Sequence, residues 1–195
     1  MNVQNKVIVI TGGAGGIGSA QAKLLARNGA EVWILDLVQE KIDQLVEELK
    51  RQGGKAHGAV ADVTSEEEWK TIVERIVSES GRLDVVVNNA GFGISGAIEF
   101  TKTEDAKRLF DADFFGMVNV NRAVIPHMRQ AGAGRIVNLS SVAAAAPIPF
   151  QAYYSAAKAA VNSYTMALAN ELRPYGVTVC AVQPGDIHTG FTAAR

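Results

Sequence analysis

Tyr154 and Lys158 stand four residues apart, and Ser141 precedes the tyrosine by thirteen positions. If Tyr154 lies in the opening turn of a helix, Lys158 falls one turn on along the same face. An ammonium held near a phenol favours the phenolate. At an effective dielectric of about 20 and a separation of ~4 Å, the coupling is roughly 4 kcal/mol. That corresponds to about three pKa units, enough to bring a tyrosine from ~10 toward neutrality. A phenol so poised gives or takes a proton at working pH, and the Ser141 hydroxyl can hold a substrate oxygen beside it. Tyr-x-x-x-Lys also occurs by chance in many helices, so its meaning rests on what the chain builds around it.

The surrounding elements are legible as an alternation. The run at 6–11 (KVIVIT) is continuously apolar, as a strand buried on both faces requires. The block Gly12-Gly13-Ala14-Gly15-Gly16-Ile17-Gly18 follows at once, then a helical pattern over 17–28 closed by Gly29. A second strand at 31–35 ends on Asp36. An amphipathic helix over 38–51 carries Ile42, Leu45, Val46 and Leu49 on one face and stops at Gly53-Gly54. A short third strand covers 55–60, weakened by Gly58. After the turn Asp62-Val63-Thr64, Ser65 and Glu68 have capping-box spacing and start a helix to about residue 80. The fourth strand, 83–87, opens into Asn88-Asn89-Ala90-Gly91, and 92–100 is a loop. One long helix is expected over 103–130, with Pro126 as a kink or early stop. The fifth strand is 135–139, the helix with Tyr154 and Lys158 spans 152–173, and VTVCAV at 177–182 is the sixth strand, followed by Pro184-Gly185.

Such alternation predicts a single α/β domain over 1–195, a parallel sheet with helices on both faces and right-handed crossovers. Ligands on such sheets bind beyond the carboxyl ends of the strands. The glycine block, Asp36, Asp62, Asn88-Asn89, Ser140-Ser141 and Pro184-Gly185 all fall at one. Gly12, Gly16, Ile17 and Gly18 sit where backbone N–H groups and a helix N-terminus can meet a pyrophosphate. Asp36, eighteen residues past Gly18, can accept hydrogen bonds from a ribose diol and repels a 2′-phosphate. Leu37 beside it offers no cation for that phosphate, so NAD is expected over NADP. Asp62 can accept from an adenine amino group, with Val63 beside it.

Composition narrows the partners. Hydrophobic residues make up 48% and charged residues 20%, and the net charge is -1. That balance argues against nucleic acid or an anionic membrane surface. The single cysteine, Cys180, lies in an apolar strand and reads as an inert core thiol. The N-terminus enters a strand directly, without signal-peptide character, and no run has the ~18 apolar residues of a membrane span. A cytoplasmic location is the default expectation. His57 reads as solvated, and neither His127 nor His188 has ligand-spaced partners, so no metal site is expected.

With these residues in view, the chain resembles the short-chain dehydrogenase/reductase family over 6–189. The glycine block alone is ambiguous. Read as Thr11, Gly12, Gly16, Gly18 it follows the compact branch, and read as Thr11, Gly12, Gly15, Gly18 the extended, epimerase-like branch. Asn88-Asn89-Ala90-Gly91 reproduces the compact-branch motif. The resemblance implies a Rossmann-like, doubly wound sheet of strand order 3-2-1-4-5-6. It implies Tyr154 as proton donor or acceptor, Lys158 as partner of the nicotinamide ribose, and Ser141 as the group orienting the substrate oxygen. Ser140 and Tyr153 match no catalytic position. Asn89, Ala90 and Gly91 would line the cofactor cleft, joined by Pro184 and Gly185, with Ile187 and Thr189 at the nicotinamide amide. A homodimer or homotetramer is implied, pairing the helices at 103–130 and 152–173; Phe110, Phe114, Phe115 and Met117 are candidates for that face or for burial against their own sheet.

Two departures stand out. Where the family has asparagine in an Asn-x-x-Gly pattern, this chain has Asp113-Phe114-Phe115-Gly116. Asn119 and Asn121 are out of register. An aspartate can take part in a proton relay; ionised, it would stabilise the lysine cation while opposing the phenolate by about 2 kcal/mol at ~8 Å. The family also continues past the Pro-Gly segment through a lid, a further strand and a tail. Here 190–195 remain, so the chain is expected to be part of a longer one, its sixth strand a sheet edge and its pocket without a lid.

The expected activity is hydride transfer between NAD(H) and a secondary alcohol or ketone. The apolar loop 142–150, with Phe92 and Ile94, hints at a lipophilic substrate, although packing explains those residues equally well. The alternatives are a nucleotide-binding regulatory or structural protein of the same fold, and a sugar epimerase of the extended branch.

Overall fold

The computed structural model describes residues 2–187. Strands β1 (Val7–Thr11), β2 (Glu31–Asp36), β3 (Lys55–Val60), β4 (Val85–Asn88), β5 (Gly134–Leu139) and β6 (Val177–Val182) form one sheet. They alternate with helices α1 (Gly16–Arg27), α2 (Gln39–Arg51), α3 (Glu66–Ser80), α4 (Thr103–Phe110), α5 (Gly116–Ala131) and α6 (Ala152–Leu172). Every pairing is parallel and the order is β3-β2-β1-β4-β5-β6. This is the doubly wound arrangement, with its crossover between β1 and β4.

Strand periodicity divides the core in two. Val7 and Val9 point to the face covered by α3, α5 and α6, where Trp33, Leu35, Trp69, Val73, Ile76, Val124 and Met128 pack. Ile8 and Ile10 point to the face covered by α1 and α2, against Ala22, Ala26, Ile34, Ile42 and Leu49. Each fully buried aliphatic side chain contributes roughly 1.5–3 kcal/mol. The glycine that weakens β3 as a sequence signal has a packing reason: a Cβ on Gly58 would run into Ile42 of α2.

A buried polar chain crosses the second half of the sheet. Asn88 on β4 donates to Asn121 on α5 and to Asn138 on β5, both at 2.8 Å. Asn138 donates in turn to Thr165 on α6 at 2.9 Å, and Thr165 to the Val161 carbonyl.

Several expectations need correction. The helix expected over 103–130 is not uniform: a π turn, Asp111–Phe115, sits between α4 and α5. One wider turn rotates Asp113 inward, and it is buried. Pro126 neither stops α5 nor ends it early; the helix runs to Ala131 and closes on Gly132 in the left-handed region at φ 64°. Ser65 occupies the N-cap of α3 but makes no side-chain cap bond. Asp62 organises that turn instead, accepting from the Thr64 N–H and hydroxyl at 2.8 Å each. Among the described residues Cys180 is exposed, not core: β6 is the outermost of their strands, and its alternate residues are the exposed ones. His57 is half-buried, stacked on Trp33 at 4.5 Å and paired with Glu31 at 3.1 Å. Among the described residues, no helix is long and apolar enough to cross a membrane, and no His/Cys/Asp/Glu group could hold a metal ion.

Candidate functional site

The ends of β1 and β4 are stapled together. The Thr11 hydroxyl oxygen accepts from the Asn89 and Ala90 amides, both at 3.0 Å. The chain then turns through Gly12 at φ 59°, a left-handed conformation that glycine takes without cost. A Cβ there would lie 3.0 Å from the Ala90 Cα, and one on Gly18 would collide with the Gly12 carbonyl oxygen. Gly15 caps α1, whose first turn has no acidic residue. Its amide ends and positive dipole are therefore open to an anion. Across the turn, Asp36 at the end of β2 accepts from the Ala14 amide at 3.0 Å and the Leu37 amide at 2.8 Å. Both of its oxygens are oriented and keep further lone pairs.

These residues wall a cavity of about 750 Å³, lined by Gly12, Gly16, Ile17, Asp36, Asp62, Val63, Asn89, Ala90 and Gly91 among others. It has the size, the glycine floor and the terminal carboxylate to fit a dinucleotide's adenosine and pyrophosphate. Arg108, Phe115 and Asn119 also line it. None of the three has a sequence signal for this role, because α4 and α5 reach the cavity only through the tertiary fold. Asn119 donates to the Val63 carbonyl at 3.1 Å, fixing the Asp62 loop.

A second cavity of about 340 Å³ adjoins it, and Ile17, Asn89 and Gly91 line both. Its walls carry Ser141, Tyr154 and Lys158 together, with Pro184, Gly185 and Ile187. Ser141 follows β5 in extended conformation, and its oxygen accepts from the Ala143 amide at 3.1 Å, which leaves the hydroxyl proton free to turn into the cavity. Tyr154 lies in the first turn of α6 and is buried. Lys158, one turn later, is 7% exposed; its ammonium donates to the Leu139 carbonyl at 3.1 Å and lies 5.6 Å from the Tyr154 ring centre. Ser140 also borders the cavity, but its hydroxyl is bonded to the Lys158 carbonyl at 3.0 Å.

Asp113 stands behind the lysine. Its carboxylate pairs with the Lys158 ammonium at 3.0 Å and accepts from the Phe92 amide at 2.8 Å. Burial pushes this carboxyl above the usual aspartate range, and the Lys158 charge and the Phe92 N–H pull against that.

The two cavities thus gather most of the residues picked out from sequence. Gly18 lines neither and serves to bring α1 against the turn. Thr189 lies outside the described residues. Phe92 and Ile94, candidates for a substrate wall, pack with Leu109, Ala143 and Ala157 in a small core of their own. Ile148, Gln151, Val142 and Asp186 complete the smaller cavity. A mutual approach of the 142–151 and 184–187 segments, bonded Val142 N–H to Pro184 carbonyl at 3.1 Å, brings them there.

A glycine turn between the first strand and helix, a carboxylate closing the second strand, and an adjoining Ser-Tyr-Lys cavity define a dinucleotide-binding α/β protein of dehydrogenase type. A family profile described as short chain dehydrogenase matches residues 6–195, and the chain belongs to the short-chain dehydrogenase/reductase family of NAD(P)-using oxidoreductases. It is 42% identical over 193 residues to a 3-ketodihydrosphingosine reductase of Bacteroides thetaiotaomicron, covering 99% of this chain and 68% of that one. It is 43% identical over 190 residues to a cyclopentanol dehydrogenase of Comamonas sp., covering 97% and 76%. The fold superposes on NAD⁺-bound xylitol dehydrogenase with a TM-score of 0.94 at 33% identity, over 98% of this chain and 74% of the other.

Proposed function

We propose that this chain is the cofactor-binding and catalytic domain of an NAD(H)-dependent oxidoreductase that interconverts a secondary alcohol and its ketone. The observation that carries the reading is the shared wall: Ser141, Tyr154 and Lys158 line a cavity continuous, through Ile17, Asn89 and Gly91, with the glycine-floored one. Gly12, Gly16 and the α1 N-terminus would hold the pyrophosphate, Asp36 the adenine ribose, and Asp62 and Val63 the adenine. Asn89, Ala90, Gly91, Pro184, Gly185 and Ile187 would flank the nicotinamide half. Bound there, NAD(H) gives or accepts the hydride at its nicotinamide ring.

The chain's own residues handle the oxygen and its proton. Ser141 donates to the substrate oxygen and fixes its direction. For reduction, the Tyr154 O–H bond breaks as the proton passes to the oxygen of the former carbonyl; for oxidation, the phenolate takes that proton back. Lys158 donates to the Leu139 carbonyl and pairs in charge with Asp113, which leaves it further N–H donors for the cofactor ribose.

Asp36 supports NAD over NADP: its charge repels a 2′-phosphate, and Leu37 supplies no cation. The apolar side chains of Val142, Ile148 and Ile187 around the smaller cavity support a substrate with a hydrocarbon body. Two relatives are named for 3-ketodihydrosphingosine and cyclopentanol. Met117 is buried in its own subunit, whereas Phe115 is 52% and Met166 on α6 70% exposed. An apolar surface along the π turn and α6 supports a homodimer or homotetramer, which light scattering after gel filtration measures. A lone cysteine and an NAD(H) requirement fit a cytoplasmic setting.

The deciding experiment titrates NADH and NADPH by nicotinamide fluorescence, then measures turnover on secondary alcohols and ketones of graded chain length. Tyr154→Phe should retain NADH binding and lose on the order of 10²–10⁴ in kcat. NADH binding with no turnover on any substrate would overturn the dehydrogenase reading in favour of a nucleotide-binding regulatory protein.

A further inference from the structure

The ion pair between Asp113 and Lys158 is buried at the site, and it is built from three separate features. The π turn rotates residue 113 inward. Gly91 makes room for it, since a Cβ there would lie 2.9 Å from both Asp113 oxygens. The Phe92 amide holds one oxygen at 2.8 Å, leaving the other on the lysine at 3.0 Å. From α6, the charged group meeting Asp113 is Lys158. Segment 89–92 brings an amide and no titratable side chain. On the same turn, Asp111 is exposed on the wall of the larger cavity. The charged side chains Asp105, Lys107 and Arg108 of α4 and Arg122 of α5 are solvent-accessible, with Arg108 paired to Asp105 and Arg122 to Glu66.

We infer that Asp113 is a positioning residue that sets the proton affinity of the Tyr154–Lys158 couple, holding the pH at which alcohol oxidation switches on higher than a neutral side chain would. This rests on the acid–base reading given above. An ammonium alone projects a full positive charge on the neighbouring phenol, and a carboxylate 3.0 Å behind it cancels much of that field. The phenolate is correspondingly a stronger base that forms later in a pH titration. A hydrogen bond to the Leu139 carbonyl and the ion pair with Asp113 meanwhile keep the lysine in place. The Lys158 ammonium at 3.0 Å and the Phe92 amide at 2.8 Å both favour the ionised carboxylate, so the opposing charge sits where the couple meets it.

Asp113→Asn keeps the shape and an acceptor for the Phe92 amide while removing the charge; Asp113→Ser removes the charge with a smaller polar side chain should the first variant fail to fold. Two readouts are needed. The first is the pH–rate profile for alcohol oxidation, where the midpoint should move to lower pH by about one unit. The second is the ultraviolet tyrosinate titration, with the Tyr154→Phe protein subtracted to isolate one of the four tyrosines. In the neutral variants the Tyr154 absorbance rise should come at lower pH, by the same amount. A merely structural role would lower stability and rate without moving either curve. Superimposable titrations, or a shift to higher pH, overturn the inference. The absorbance arm decides it even for a protein without turnover, so its failure is distinct from failure of the dehydrogenase reading.

Discussion

The Asn89 side-chain amide donates to the Gly12 carbonyl at 3.0 Å, tying the end of β4 to the glycine turn after β1. The same nitrogen reaches the Thr11 carbonyl at 3.0 Å. Asn89→Ala leaves both oxygens without that donor, a loss of about 1–3 kcal/mol. The expected result is a lower melting temperature and NADH affinity weakened on the order of tenfold, read by fluorescence titration. Unchanged affinity would mean the turn holds its shape without the staple.

Gly18 tests the same turn from the helix side. A Cβ there would collide with the Gly12 carbonyl and sit 2.8 Å from the Gly13 Cα, and backbone cannot swing aside as a side chain can. Gly18→Ala should cost about 1–3 kcal/mol in denaturant unfolding and weaken NADH binding with it.

Cofactor choice is concentrated at the end of β2. Replacing Asp36 with alanine and Leu37 with arginine removes the carboxylate and adds a guanidinium for a 2′-phosphate. NADH affinity should fall by about tenfold or more while NADPH affinity rises, so that the ratio inverts. Equal preference for both cofactors in the unmodified protein would contradict the assignment of Asp36.

Stability should carry the signature of Asp113. Its folded-state pKa is raised above the ordinary 3.8, chiefly by burial, so between the two values the folded chain holds a proton that the unfolded chain has released. Where the native state binds more protons, stability falls as pH rises. The contribution is fully present below the ordinary value and is lost as pH climbs through the raised one. Chemical denaturation across that window should show the decline in the unmodified protein and a flatter curve in Asp113→Asn.

Much of this was readable from residues alone. Apolar runs and glycine stops predict the alternation of strands and helices, and the Tyr154–Lys158 spacing with Ser141 at a strand end marks the smaller cavity. What escaped had tertiary causes. The π turn at Asp111–Phe115 contains no proline or glycine to announce it. Cys180 sits in a run as apolar as the central strands, yet it is exposed on β6, the outermost of the described strands. Ser65 and Glu68 have the spacing of a capping box, yet Asp62 serves the turn. His57 carries no local hint that Trp33, its register partner on the neighbouring strand, will stack on it.

The amide chain through Asn88, Asn121, Asn138 and Thr165 has a consequence for how the middle of the molecule assembles. Neighbouring parallel strands made of valine and isoleucine can slide by two positions and keep every side chain on its own face. Asn88 lies opposite Asn138 in only one such alignment, and any other would strand amides in hydrocarbon. The four polar residues act as a key cut for a single lock, discriminating against mis-docked β4 and β5 before any ligand arrives.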